Sequence, residues 1–487
     1  MPRPHSRPTA LRRTPRDHTA AEAVQPMAAR LQLADRVLPY ADRRWRPEDP
    51  PAPALHLEDV SAIPFLTGIA GVEEYQHRAR LRTAAGDAYA AVTGSEAAYD
   101  DYCTQRLRLA PVSRIAVRAS DTSSALAVAE GCMTGEAFER ATALARRSGR
   151  LVLHPYMAIE PVWQLARRIA ERAGATVSVL GPPPPVTWLA NDKDLFDELV
   201  NTVLGPGWTP ETRRATTPRA IAANLRALAS KHPSVGLKRT RCASAMGNQV
   251  FASAPLRDLP ATDVEQLVAR FLARTEWVTG EVVLAVAWEA ASASPSTQWW
   301  IPPAGACPPR LDGIYEQILE GDRKVFVGSR PSTLPKTVDD ALARAARRVA
   351  EALQALGYVG RCSFDHLLLG DLDGDFVVRF TECNGRWGGT STPMHLVDRL
   401  VTHRRGSRPP YRAQDVTAPR LAGARFADLL QLAGDEVFDP VRGTGRFVFY
   451  NVGPLAAFGK LDVIALGDTQ VAAERAMTES LPRLLGA

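Results

Sequence analysis

The sequence predicts an α/β protein, and three observations carry that expectation. Strand-like and helical stretches alternate through residues 115–180; an amphipathic helix at 338–356 runs into a hairpin pattern at 361–384; and a helix, two strands and a helix follow residue 425. Strands spaced by helices argue for a parallel sheet, because a parallel pair needs a crossover long enough to hold a helix. At 487 residues, with 45% hydrophobic and 23% charged positions, the chain has an ordinary globular composition and room for three or four domains.

Residues 1–30 are rich in Pro, Arg, Thr and Ala without apolar periodicity and predict a disordered basic arm. The net charge of +6 is modest, and much of the positive charge falls in the first 50 residues. No aromatic or glycine-rich RNA-binding pattern accompanies it, so nucleic acid is not the expected partner. A first domain is expected over 31–190. It holds an Ala/Arg-rich helical segment at 73–89, strands at 115–117, 151–153 and 176–180, and helices at 135–148 and 159–173. Gly181 and the four prolines after it interrupt the pattern and mark a boundary.

Beyond that boundary, Asn191 or Asp192 caps a helix carrying Leu195, Phe196, Leu199 and Val200 on one face, with Lys193 in its first turn. A strand ends at Lys238, a small-residue loop runs from Cys242 to Asn248, and a second strand starts at Gln249. Such a loop can fold over phosphates, although an ordinary hairpin reads much the same. The apolar run 281–288 predicts a buried strand ending at Glu289, followed by a hinge-like small-residue loop at 290–296. Residues 311–320, with Gln317, suggest a short segment over a site. Leu342, Ala345, Val349 and Leu353 form the apolar stripe of the helix at 338–356. After Pro410 a helix is expected at 425–432, strands at 447–450 and 461–465, and a helix from Thr469.

The hairpin is the most informative stretch. Asp373-Gly374 suits a two-residue turn, which sets Asp365 directly opposite Glu382, with Leu367, Leu369, Val378 and Phe380 on the same face. Asn384 lies two residues beyond Glu382 and shares that face. Two carboxylates at that spacing repel unless a cation separates them, and hard Mg2+ or Mn2+ prefers oxygen ligands. A pair of solvated acids is the plain alternative. The motif continues into Gly385-Arg386-Trp387-Gly388-Gly389-Thr390-Ser391-Thr392-Pro393. There glycines admit backbone N–H groups to a ligand, Ser391 or Thr392 caps the next helix with Pro393 at its first position, and Arg386 offers a fork for carboxylate or phosphate.

Only six lysines occur, at 193, 231, 238, 324, 336 and 460, so a lysine at a motif position stands out against arginine. Six cysteines lack any CxxC pair, which argues against zinc and disulfides. No apolar run approaches the roughly 20 residues of a membrane helix and no signal peptide is visible, so no membrane association and a cytoplasmic location are expected.

Taken together, Lys193, Lys238, the small-residue loop and the Asp365…Glu382-x-Asn384-x-Arg386 string resemble the ATP-grasp carboxylate-amine ligases over residues 191–400. More narrowly, SASPSTQ (292–298), YEQILEG (315–321) and FTECNGRWGGTSTPM (380–394) resemble the pheganomycin-type peptide ligases. The resemblance implies a Rossmann-like pre-ATP-grasp domain at 31–190, an α+β lid at 191–290, a metal-binding lobe at 291–404 and a small C-terminal α/β domain at 405–487. It implies that Lys193, Lys238, Ser244, Gly247 and Asn248 meet ATP phosphates, that Trp288 and Glu289 border adenine, and that Asp365, Glu382 and Asn384 hold Mg2+ or Mn2+. Arg386, Gly388 and Gly389 would serve catalysis. The implied reaction joins an amino acid or small carboxylic acid to an amino acid or peptide amine through an acylphosphate, in biosynthesis of a peptide natural product. Many members are dimers, and a homodimer and a monomer stay open here. One departure is Ala245-Met246, where a glycine is expected before Gly247. A silent nucleotide-binding scaffold is the alternative function. Lys193 as a surface lysine, Trp387 as core, His366 as structural and Trp299-Trp300 as core or interface are the plainer readings of those residues.

Overall fold

The computed structural model describes residues 19–242, 246–321, 325–402 and 406–486. The first unit is a five-stranded parallel sheet, β1 (Ala54–Leu57), β2 (Ala88–Ala91), β3 (Ser113–Ala116), β4 (Arg150–Pro155) and β5 (Thr176–Val179), in the order β3-β2-β1-β4-β5. The helix Gly135–Ser148 has the expected bounds, and Glu160–Ala173 buries Val162, Trp163, Leu165, Ala166 and Ile169. Gly174 closes it at φ +63°, a conformation that glycine adopts without strain. The strand order reverses between β1 and β4, and such a switch point opens a crevice at the carboxyl ends of the strands. β1 and β2 escape a sequence reading because four residues each of Ala-Leu-His-Leu and Ala-Tyr-Ala-Ala are too short to show a period. The segment expected as a helix at 73–89 is a 3-10 helix, Val72–Arg82, leading into β2. Its Arg78, Arg80 and Arg82 are buried, so charge pairing replaces an apolar stripe.

A four-stranded antiparallel sheet follows, ordered β6-β9-β7-β8, from β6 (Thr212–Ala215), β7 (Ser234–Arg239), β8 (Asn248–Ala252) and β9 (Val283–Ala287). Helices Pro218–Ala229 and Ala261–Arg274 cover one face through Ile221, Leu225, Val264 and Phe271. The third sheet has eight strands. β10 (Pro295–Ile301), β11 (Arg310–Glu320), β12 (Val325–Pro331), β13 (Gly360–Gly370), β14 (Phe376–Asn384), β15 (Tyr411–Thr417), β16 (Phe447–Tyr450) and β17 (Lys460–Leu466) lie in the order β14-β13-β10-β11-β12-β15-β17-β16.

Four expectations change. Residues 20–30, placed in a mobile arm, form the helix Ala20–Arg30, closed by a Thr19/Glu22 capping box, with Val24 and Met27 buried in the same core as the helices Lys193–Leu204 and Lys336–Ala355. Residues 1–18 lie outside the described ones. The prolines after Gly181 start a helix rather than only breaking one: Pro184 and Pro185 open Pro184–Asn191, where their missing N–H groups cost nothing. Residues 311–320 do reach the site, through Gln317, but as part of β11, a central strand of the third sheet, and not as a short segment lying over it. Finally, the C-terminal strands extend the third sheet rather than building their own, because β15 pairs with β12 at Gly328↔Gln414 and Ser329↔Ala413. That junction requires a glycine: a Cβ on Gly328 would lie 2.2 Å from the Ala413 carbonyl oxygen.

The C-terminal strands also lock onto the first unit. Lys460 Nζ donates to Tyr75 Oη at 3.0 Å, and Glu58 accepts from Arg78 Nε at 2.9 Å and from Arg82. Asp462 lies directly across the ladder from Asp415 and accepts from Asn451 Nδ2 at 3.0 Å. Burial pushes Asp462 up to about 7, with Arg78 and Lys460 opposing and Asp415 adding to it. A carboxyl raised in the folded state holds its proton there and releases it in the unfolded chain, so stability is lost as pH rises from about 4 through 7. Asp462→Asn is therefore expected to raise Tm by a few degrees at pH 8 and to leave it nearly unchanged at pH 4. Thermal denaturation at the two pH values checks this.

Candidate functional site

The candidate site lies where the four-stranded and eight-stranded sheets meet. Asp365 on β13 does pair with Glu382 on β14, although by a different route from the expected turn. The loop spans 371–375: Gly374 N–H donates to the Asp371 carbonyl, and the positive φ belongs to Gly370 at +94°. That shifts the ladder by one residue, pairing Gly370 with Phe376 and His366 with Phe380, and a β-bulge at Thr381 shifts it back. Thr381 Oγ1 fastens the bulge by donating to the Asp365 carbonyl at 3.0 Å. One expectation fails as a result. Val378 and Phe380 turn into the core with Leu368 and His366, while Arg379, opposite Leu367, takes the site face. His366 is structural as expected, its Nε2 3.1 Å from Thr297 Oγ1 and its ring against Phe380.

Asn384 Nδ2 donates to Asp365 Oδ2 at 3.0 Å, so the three oxygen-bearing side chains do converge. Ser296 lies opposite Asp365 on β10, and both it and Gln317 hydrogen-bond that carboxyl. Burial, reinforced by the charge of Glu382, pushes Asp365 up to about 7. Burial acts on Glu382 in the same direction, but Lys193 prevails and holds it below its ordinary value. This is a pair of acids short of positive charge, with hard oxygen donors that suit a divalent cation.

Lys193 is no surface residue. It opens the helix Lys193–Leu204, capped by Asp192, and its Nζ stands 3.0 Å from Glu382 Oε2 and donates at 3.0 Å to the Cys242 carbonyl. Its side chain is 5% exposed, whereas Glu382 at 32% keeps one edge open to the cleft. Asn191 does not cap; its side chain clamps Gly385, accepting from the Gly385 N–H at 3.1 Å and donating to its carbonyl at 3.2 Å. Lys238, next to last in β7, has its Nζ 5.2 Å from the Trp288 ring centre. Among the described residues no carboxylate lies within ion-pair distance of Lys238, and burial, with Lys193 adding, lowers its pKa. Trp288 packs on Gly236, where a Cβ would come within 2.7 Å of the ring. Glu289 Oε2 accepts from Arg379 Nε at 3.3 Å.

Of the loop residues, Ser244 lies outside the described ones. The Gly247 carbonyl accepts from Arg239 N–H, and a Cβ there would strike Cys242 Sγ at 2.5 Å. Asn248 pairs with Lys238 across the ladder, its Oδ1 buried without a partner. In the second loop, Gly388 N–H is already engaged by Ser391 Oγ at 2.7 Å, and Gly389 lies against Phe326, where a Cβ would come within 2.6 Å. The following helix, Ser391–Val397, has Thr390 at its N-cap and Pro393 as its third residue, not its first. Arg386 lies over Tyr156, and Trp387 is buried among His154, His395, Arg82 and Arg361. Sequence reasoning missed Ser296, Asn191 and Arg379 as site neighbours; only Ser296, inside the SASPSTQ run, carried a signal.

The sequence matches no protein-family model and no curated protein. Solved structures do match. N5-carboxyaminoimidazole ribonucleotide synthetase in its ADP complex superposes with a TM-score of 0.53 at 12% identity, covering 91% of this chain and 100% of that one. Biotin carboxylase from Campylobacter jejuni gives 0.53 at 14% identity, over 87% and 89% of the two chains. Rhizobium etli pyruvate carboxylase gives 0.52 at 15% identity, over 90% of this chain and 39% of its own. The chain has the ATP-grasp fold. Within it, Lys193, whose N–H donates to the Thr240 carbonyl just after β7, reaches Glu382 on the eight-stranded sheet.

Removing Glu382 leaves a buried cation with only a carbonyl for company. Glu382→Gln is expected to cost about 2–3 kcal/mol of stability, below the roughly 3–5 kcal/mol of a fully buried pair because one edge of Glu382 meets solvent. Lys193→Met combined with Glu382→Gln should recover at least half of that loss. Urea denaturation of the three variants measures both.

Proposed function

We propose that the protein is an ATP-dependent carboxylate-amine ligase. It joins an amino acid or other small carboxylic acid to the amine of an amino acid or short peptide and releases ADP and phosphate. The observation that carries this reading is the set Lys193, Lys238, Asp365, Glu382 and Asn384, gathered between lid and central sheet with Arg386 at its edge. ADP and β,γ-ATP complexes among the structures of the same fold support a nucleotide in that position.

A carboxylate is a poor electrophile at neutral pH. Phosphorylation by ATP gives an acylphosphate, whose carbonyl carbon an amine attacks as phosphate leaves. Lys238, half-buried and without a carboxylate, takes up a phosphate group, while Lys193 bridges phosphate and Glu382. Asp365, Glu382 and Asn384 would hold a divalent cation, which would supply charge neutralisation to the transferring phosphoryl group. Arg386 steadies the acid or the tetrahedral centre. Trp288 and Glu289 border the base, with Arg379 fixing the Glu289 carboxylate. The motifs shared with pheganomycin-type ligases support a peptide-forming role in natural-product assembly. A silent nucleotide-binding scaffold is the second reading, favoured by one feature of the sequence: Ala245, outside the described residues, and Met246 stand where a glycine is expected before Gly247.

The test is phosphate release from ATP and Mg2+ with pooled amino acids and short peptides, products read by mass spectrometry. Release coupled to a new amide, reduced roughly 100-fold or more in Glu382→Ala, is the expected result. Nucleotide binding without turnover on every pool would replace the ligase with the scaffold.

A further inference from the structure

The apolar core around the parallel sheet is built from residues 40–188 and, among the described residues, one from outside that range: Trp387. This side chain leaves the loop that bears Arg386, enters the first unit and is 5% exposed there. The guanidinium carbons of Arg82 and Arg361 lie 4.8 and 5.0 Å from its ring centre, close enough for the π-face to attract a cation. Each cation is anchored by an acid of its own: Arg82 donates to Glu58, and Arg361 Nη1 stands 2.9 Å from Asp312 Oδ2. His154 and His395 meet the same ring at 5.8 and 5.3 Å between centres. Burial, with Arg82 and Arg361 adding, holds both imidazoles well below their ordinary range, so they pack as neutral rings.

The neighbouring Arg386 takes its place from this anchor. Its Nη1 donates to the Trp387 carbonyl at 3.3 Å, and its guanidinium carbon lies 6.0 Å from the Tyr156 ring centre. Trp387 N–H in turn donates to the Tyr156 carbonyl at 3.0 Å, just beyond β4. Among the described residues no carboxylate lies within ion-pair distance of Arg386, so the backbone of Trp387 and the ring of Tyr156 are what hold it. Asn191 fastens the loop at Gly385 and Ser391 fastens it at Gly388. Between those two points, Trp387 is the side chain that fixes the chain to the first unit.

We infer that Trp387 is a positioning residue: its ring, held by Arg82 of the first unit and Arg361 of β13, seats the loop and so sets where Arg386 meets the acid. The first unit thereby takes part in the reaction through Arg82 and Tyr156, although it carries none of the nucleotide-facing side chains. An aromatic face is what the position requires, because a flat guanidinium stacks on a ring and gains nothing comparable from an aliphatic chain. The inference rests on the ligase reading for what Arg386 does, while the seating of Arg386 is a property of the folded chain and can be read without turnover.

Labelling of arginines with phenylglyoxal on the full chain, followed at the Arg386 peptide by mass spectrometry, tests the seating. Trp387→Leu is expected to speed labelling of Arg386 at least about threefold, whereas Trp387→Phe, which keeps a π-face for the two guanidiniums, stays near the parent rate. In the phosphate-release assay Trp387→Leu should lower kcat about 10- to 100-fold and leave KM for ATP unmoved. Combined with Arg386→Ala it should add no further loss, because a residue that acts through Arg386 then has nothing left to position. Should Trp387→Leu not fold, Arg82→Lys provides the second arm: it keeps a charge beside Glu58, gives up the flat guanidinium, and is expected to speed Arg386 labelling although its contact is with Trp387. Arg386 labelling unchanged in Trp387→Leu or Arg82→Lys, equal effects of the leucine and phenylalanine replacements, or a double variant well below Arg386→Ala would overturn the inference. Faster labelling in a protein that releases no phosphate on any pool would sink the ligase and keep the seating. Parent-like turnover in Trp387→Leu would do the reverse.

Discussion

The contact between Lys193 and Glu382 is the constraint on which the site depends. A lysine this deeply enclosed requires a counter-charge, and Glu382, beside Asp365, requires a cation; each supplies what the other lacks. The pair also fixes position. Lys193 N–H donates to the Thr240 carbonyl, Asp192 pairs with Arg241 at 3.1 Å, and Asn191 holds Gly385. Three consecutive residues thus tie the segment after β7 and the end of β14 into one junction. Their side chains differ in chemistry but serve the same geometry.

Around that junction the charges are unequal by construction. Burial pushes the Asp365 carboxyl up and the Lys238 ammonium down from their ordinary values, and Arg361 keeps unused donors. Each imbalance corresponds to a group of opposite charge that a substrate or ion can bring. Stability is set aside locally so that binding has something to correct.

Much of this was legible in the chain. Helices with strong stripes, such as Gly135–Ser148 and Lys336–Ala355, announce themselves through periodicity, and β16 through an unbroken run of four apolar residues. The pairing of Asp365 with Glu382 was also legible, although the turn and the bulge each displace the register by one and the two displacements cancel. What stayed hidden depends on partners distant in sequence. The Thr19-capped helix has only Ala20, Val24 and Met27 to bury, and Arg78 and Arg82 look like surface residues until Glu58 is placed beneath them. Gly389 reads as a phosphate-loop glycine because nothing local reveals Phe326 against it.

The sharing of one sheet by β12 and β15 bears on the order in which the molecule is made. All strands of the parallel sheet lie within residues 54–179, so that unit can form while the rest of the chain is still being synthesised. The eight-stranded sheet cannot close until residues 411–466 have emerged, because β15 and β17 form its far side. Until then β12 is an exposed edge carrying unpaired backbone groups, the kind of surface on which chains adhere to one another. The nascent protein thus passes through a stage in which its eight-stranded sheet is the part most in need of protection.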